Sequence, residues 1–145
     1  GDVLGPLVGT LLYEKNVNTF IYGRLLSPIT AKDVDPIKRF VLKAHPFSKT
    51  LVIDAAIGNK EDVGSVKISL APLKPGSGAN KDLPEIGDVS IIGIVAQRSC
   101  ANYSLLNLTR LSPVYKMAKA IADGIIGYLN GAAHNDDLVF RRNYN

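Results

Sequence analysis

Thr50–Asp54 reads TLVID, a short run of apolar and β-branched residues that stops at a carboxylate. Runs of this kind are typical of strands buried on both faces of an α/β sheet. A second such run, VSIIGIVA, occupies Val89–Ala96. Between the two, residues 66–70 alternate apolar and polar side chains, which indicates a half-exposed strand. These segments predict the centre of a sheet in which the strand Thr50–Ile53 ends at Asp54.

Three helices are predicted around these strands. Apolar residues recur at helical spacing in residues 6–15, 35–45 and 112–131, and each segment has a proline in its first turn, where the missing N–H does no harm. The second helix is predicted to be capped by Asp35 and to have a basic outer face. Thr19–Tyr22 is predicted to be a further short strand, and Asn102 to cap a short helix. The alternation predicts a three-layer α/β sandwich with a mostly parallel sheet and helices on both faces.

Length and composition agree with one globular unit. The chain has 145 residues, of which 46% are hydrophobic and 21% are charged, a composition that supports a packed core. Residues 1–130 are predicted to form a single α/β domain, and residues 131–145 a polar C-terminal tail. A helix that opens directly after Gly1-Asp2 is normally preceded by a strand, so a leading strand is expected before Gly1.

Several functional classes are disfavoured by composition. The net charge is +4, but the basic residues are dispersed and tryptophan is absent, which argues against a nucleic-acid groove. The apolar stretches fall short of the roughly 20 residues that a membrane-spanning helix needs. Cys100 is the only cysteine and the chain has two histidines, so neither a disulfide nor a usual zinc site is expected. We therefore predict a cytoplasmic protein without metal or cofactor and without nucleic-acid or membrane partners.

Two aspartates are the candidate catalytic residues. Asp2 follows the expected leading strand, and Asp54 follows the strand Thr50–Ile53. Ligands of open α/β sheets bind beside the carboxyl ends of strands, where two close carboxyl groups can share a proton and activate water. The alternative, that each aspartate caps a helix or forms an Asx turn, is favoured by spacing alone.

A long Pro- and Gly-containing loop, residues 72–88, is expected at the same edge. Its segment KPGSGANK could present successive backbone N–H groups to an anion or an oxyanion. The alternative is a solvent-exposed turn of no binding function. The candidate substrate-binding residues are Lys74, Gly76, Ser77, Gly78, Asn80 and Lys81.

Four segments together resemble the YyaC-type sporulation proteins: GDVLGPLVGTLL, LVIDAAIG, APLKPGSGANKDLPEIGDVSIIGIV and NLTRLSPVYKMAKAIADGI. They cover most of residues 1–128. That family in turn resembles the germination protease of spore-forming bacteria, an atypical aspartic endopeptidase that degrades small spore proteins. It is more distantly similar to the hydrogenase-maturation endopeptidases.

The resemblance implies a phosphorylase/hydrolase-like α/β fold, with Asp2 and Asp54 at the positions of the two catalytic aspartates. The maturation endopeptidases use a histidine as a metal ligand where this chain reads Gln97-Arg98-Ser99, so no metal is expected. The implied function is a sporulation-associated endopeptidase in the cytoplasm of the forespore or mother cell, acting on a protein or peptide substrate such as a small spore protein. The alternative is a catalytically silent, peptidase-like binding module. An oligomer remains open in either case.

Overall fold

The computed structural model describes residues 3–75, 83–98 and 111–142, with side chains up to residue 132 in the last segment. The described part is a mixed α/β structure with three helices and a three-stranded sheet. In chain order the elements are α1 (Leu4–Glu14), α2 (Val34–Ala44), β1 (Leu51–Gly58), a short 3-10 turn (Lys60–Asp62), β2 (Val66–Ser69), β3 (Val89–Gln97) and α3 (Leu111–Arg142).

The sheet has the order β1-β3-β2. β1 runs parallel to β3, from the pair Leu51 and Val89 onward, with a register shift after Ala56. β2 runs antiparallel to β3. The sheet of the described residues is therefore mixed, where a mostly parallel sheet was expected. Parallel neighbours require a crossover, usually a helix; the described residues between β2 and β3 contain no helix, and an antiparallel pair needs none.

One face of the sheet, the inner face, packs against α1 and α3. Ile91 and Val95 of β3 contribute side chains to this core, and Gly93 lies between them. A Cβ at Gly93 would meet the side chains of Leu4 and Met117, so the glycine lets both helices approach the sheet. The buried residues of this core are Leu4, Leu7, Val8, Leu12, Ile91, Val95, Val114, Met117, Ala118, Ile121 and Ala122.

The strongest sequence patterns agree with these elements. α1 covers most of the predicted helix 6–15, and β3 extends the predicted strand Val89–Ala96 by one residue. α3 begins as predicted, but the expected end at Gly131 is wrong because the helix continues to Arg142. A single glycine inside a helix costs only about 1 kcal/mol, which a long helix tolerates. The three-layer arrangement stays a prediction, since both helices that contact the core lie on one face.

Two predictions between α1 and β1 are wrong. Thr19–Tyr22 is not a strand: it pairs with no described strand, and Ile21 packs against the α1 core instead. α2 begins at Val34, so Asp33 rather than Asp35 occupies the position before the helix. The Asp33 carboxylate makes no capping bond and accepts hydrogen bonds from Thr30. The helix predicted after Asn102 lies outside the described residues.

Candidate functional site

Asp54 lies in the middle of β1, where the sequence predicted the end of a strand. It pairs with Ile92 of β3, and the ladder continues to Gly58. The continuation is possible because Ala55–Ile57 is apolar and pairs with β3, with a register shift after Ala56. Asp54 is half-buried. The chain thus places a carboxylate, a residue type depleted in strands, inside the sheet.

The carboxylate belongs to the outer face, opposite the core. Side chains alternate along a strand, and Ile53 and Ala55 pack on the core. Asp54 is therefore in one row with Ile92 and Lys67 across the three strands. The Oδ1 atom of Asp54 accepts a hydrogen bond of 2.8 Å from the backbone N–H of Ala55. Since β1 continues on both sides of Asp54, it caps no helix, so that alternative does not describe it.

The start of α1 lies against β1 directly beside this position. A Cβ at Gly5 would be 2.9 Å from the carbonyl oxygen of Ile53. Such a distance is too short for a side chain facing backbone, so a glycine is required for this approach. Val3 is the first described residue of this segment. The other candidate catalytic residue, Asp2, lies outside the described residues.

The described parts of the 72–88 loop lie at the amino ends of β1 and β3. Leu73 and Ile86 exchange two backbone hydrogen bonds of 2.8 Å, and Asp88 binds the backbone N–H of Thr50 through its carboxylate at 2.8 Å. The expectation that this loop starts at the carboxyl ends is wrong. Because β2 is antiparallel to β3, β2 ends at the same edge where β3 begins.

Of the predicted substrate-binding residues, only Lys74 is described. It is exposed and directly follows the buried Leu73. Thr50 lies four positions before Asp54, so the base of the loop is about 13 Å along the strand from the carboxylate. The remaining candidates, Gly76, Ser77, Gly78, Asn80 and Lys81, lie outside the described residues.

A second feature, which the sequence reasoning missed, is an aromatic cluster beside α2. The hydroxyl of Tyr22 and Nε2 of His45 are 2.7 Å apart and share a hydrogen bond. The ring of Phe20 packs on the His45 ring with centroids 4.1 Å apart, and Tyr22 meets Phe40 edge-on at 5.7 Å. His45 was interpreted only as the end of a helix. The sequence signal was the presence of aromatic residues on both sides of the amphipathic helix, with Phe20 and Tyr22 before it and Phe47 after it.

An open cleft lies next to this cluster, between α2 and the segment before it. Its volume is about 390 Å³, within the size range of ligand pockets. The cleft is lined by Tyr22, Gly23, Ser27, Pro28, Ile29, Asp33, Pro36, Ile37 and Phe40. We call it the α2 cleft.

Charged side chains surround the α2 cleft. Hydrogen bonds from the hydroxyl and the backbone N–H of Thr30, with a smaller contribution from the charge of Lys32, lower the pKa of Asp33 below its ordinary value. On α2, Arg39 forms an exposed ion pair with Asp35 at 2.6 Å. The lining of the cleft is therefore mostly apolar and includes the carboxylate of Asp33, and basic residues lie on the helix beside it.

Within residues 3–75, 83–98 and 111–142, no group of three or more His, Cys, Asp or Glu residues is placed to hold a metal ion. The helices of the same segments include none that is long and apolar enough to cross a membrane.

Residues 1–124 match a family described as a protein of unknown function, DUF1256. The chain belongs to this family. It is also 40% identical over 126 residues to the uncharacterized protein YyaC of Bacillus subtilis strain 168, an alignment that covers 86% of this chain and 62% of the relative. The chain thus spans less than two thirds of that relative's length. No solved structure matches it.

These similarities confirm the YyaC-type part of the resemblance found in the sequence. They do not extend to the germination protease. The matched region includes α1, the whole sheet and the start of α3, so Asp54, its neighbours and the α2 cleft all belong to the family region.

Proposed function

We propose that the chain carries the catalytic core of an aspartic-type endopeptidase, related to the germination protease, that cleaves a protein of the sporulating cell. The observation that supports this proposal best is the position of Asp54. Asp54 lies half-buried in the middle of β1, next to Ile92, and its carboxylate accepts a hydrogen bond from the backbone N–H of Ala55. Neither a helix cap nor a strand end accounts for it there.

The proposed partner of Asp54 is Asp2. Gly5 lies against Ile53, the residue that precedes Asp54, and covalent geometry keeps the Cα of Asp2 within about 11 Å of the Cα of Gly5. In the proposed mechanism the two carboxyl groups share one proton. The ionised carboxylate takes a proton from the attacking water, and the protonated carboxyl group donates its proton to the leaving nitrogen of the peptide.

Cleavage assays with the protein including any residues that precede Gly1 test this proposal. Small spore proteins are incubated with the wild type and with the variants Asp54→Asn and Asp2→Asn, and the products are identified by mass spectrometry. Each variant is expected to lose a factor of about 10²–10⁴ in rate, the usual loss when a positioned acid or base is removed. Thermal unfolding shows whether each variant is still folded.

The matched control is Asp62→Asn. Asp62 forms an ion pair with Lys67 at 3.3 Å, and Lys67 shares the sheet row of Asp54, so the control removes a nearby charge without touching the proposed dyad. Its rate is expected to stay within about twofold of the wild type, since a partly exposed ion pair contributes little. Asn variants that cleave as fast as the wild type would overturn the dyad. A wild type that binds spore proteins without cutting them would establish the binding-module alternative.

A further inference from the structure

The net positive charge of the chain falls in residues 13–49, the segment that includes α2. Residues 13–49 contain seven lysines and arginines against three acidic residues, an excess of four. The whole chain has a net charge of +4, so the remaining residues are neutral in sum. The basic residues of this segment are Lys15, Arg24, Lys32, Lys38, Arg39, Lys43 and Lys49.

The same segment exposes large apolar side chains. Phe40 and Leu42 of α2 are 52% and 61% exposed, and Leu26 and Phe47 are fully exposed. Tyr13, Phe20, Tyr22 and Leu25 are exposed as well. Contiguous exposed apolar surface in a protein usually marks an interaction site. Here the apolar surface and the positive charge occupy one stretch of chain.

We propose that the α2 cleft and its basic surroundings bind an acidic segment of a partner protein, with an apolar side chain of that segment seated in the cleft. Pro28, Ile29 and Ile37 in the lining of the cleft offer an apolar contact surface to such a side chain. Arg39 and Lys43, which are exposed on α2, attract flanking carboxylates. This binding does not depend on Asp54 or on peptidase activity.

Charge and the lining of the cleft favour an acidic peptide over two other occupants, a second copy of the chain and a nucleic acid. A symmetric contact between two copies of the chain would bring identical basic surfaces together, which costs free energy. A nucleic acid has no aliphatic side chain to place against Pro28, Ile29 and Ile37 in the lining of the cleft.

Fluorescence anisotropy with the full chain tests the proposal. The probe is a short labelled peptide in which glutamates flank leucine and phenylalanine. The comparison probes are the same peptide with lysine in place of glutamate, and labelled oligo(dT). The acidic peptide is expected to bind at least about tenfold more tightly than either comparison probe, and more weakly as salt is raised.

Paired variants locate the binding. Arg39→Glu is matched by Lys119→Glu, since both residues form exposed ion pairs four positions apart on a helix, with Asp35 and Asp123 respectively. Phe40→Ser is matched by Tyr128→Ser on α3, where Tyr128 is 75% exposed. We expect each α2 variant to raise the Kd of the acidic peptide by about tenfold and each α3 variant by less than about twofold.

Unfolding temperatures check that all four variants are folded, and Lys43→Glu replaces Arg39→Glu if the latter is not. The proposal is overturned if the acidic peptide fails to bind, or if the α2 and α3 variants raise its Kd equally. Tighter binding of oligo(dT) that is lost in Arg39→Glu would identify a nucleic-acid surface instead. Dimerisation of the chain that is abolished by Phe40→Ser would identify a second copy as the occupant.

Discussion

α1 and α2 are both eleven residues long and both carry apolar residues at helical spacing, yet the structure uses them differently. α1 buries Leu4 and Val8 completely against the sheet and α3. α2 buries only Val34 and leaves Phe40 half exposed. The cause is the surface that each helix meets. α1 lies on β3 where Gly93 gives room, whereas α2 rests on an irregular segment next to an open cleft. Helical periodicity therefore shows which face is apolar without showing what covers it.

The largest expected effect is on the free energy of unfolding, and it comes from replacing a buried leucine rather than an exposed one. Leu4→Ala removes a fully buried side chain and is expected to lower the free energy of unfolding by about 2–5 kcal/mol, through lost burial and the cavity left behind. Leu26→Ala, at a fully exposed position, should change it by less than about 0.5 kcal/mol. Denaturant unfolding measures both. Equal losses would show that residues near α2 are covered in solution and would remove the contrast.

Two glycine substitutions test how closely the segment before α2 packs on α1, and their expected effects on stability are intermediate in size. A Cβ at Gly9 of α1 would lie 2.4 Å from the carbonyl oxygen of Gly23, whereas one at Gly124 of α3 would meet nothing within 4 Å. Gly9→Ala should therefore destabilise the protein by about 1–3 kcal/mol, although alanine is the better helix former. Gly124→Ala should stabilise it by about 0.5–1 kcal/mol. Thermal unfolding of the two variants decides, and stabilisation by both would mean that residues 20–25 do not press on α1.

The smallest expected effect concerns the wall of the α2 cleft and depends on pH. Because Thr30 lowers the pKa of Asp33 in the folded protein, the ionised carboxylate stabilises the fold above the ordinary value of 3.8. This contribution is lost as the pH falls through the lowered pKa. Asp33→Asn should reduce Tm slightly near neutral pH, and the difference should close in acid.

The Thr30→Ala variant serves as the control for this titration. Losing the hydroxyl donor should raise the pKa of Asp33 toward its ordinary value, as followed by NMR of the carboxyl carbon. An unchanged titration in Thr30→Ala would show that the hydrogen bond is absent in solution. The segment around Thr30 and Asp33 would then be less ordered than the core formed by α1, α3 and the sheet.

Sequence patterns predicted the core well because burial there follows strict periodicity. The apolar run at Val89–Ala96 and the helical spacing in residues 6–15 are each read from local residues, and both segments pack in one core. β1 was predicted only up to Asp54 because a carboxylate normally ends an apolar strand. Its continuation depends on pairing with β3, a contact between residues almost forty positions apart, which no local pattern contains.

The candidate site was predictable only in part for the same reason. The sequence named Asp54 as a candidate because it follows an apolar run, whereas the alignment of Asp54 with Ile92 and Lys67 across the sheet depends on strand order. The direction of β2 moved the base of the 72–88 loop to the opposite edge from the expected one. The α2 cleft was missed because Tyr22, Phe40 and His45 come together only through the path of the chain between α1 and α2.

The pairing of α1 with α3 has a consequence for synthesis on the ribosome. Leu12 and Ala122 belong to one core, and about 110 residues lie between them. At usual translation rates that interval lasts roughly 5–20 s. During this time α1 lacks its contacts with α3, so part of the apolar face of α1 and the exposed rings near α2 are available to other proteins. We expect nascent chains that stop before residue 111 to be held by chaperones, and chains that include the start of α3 to be released as folded protein.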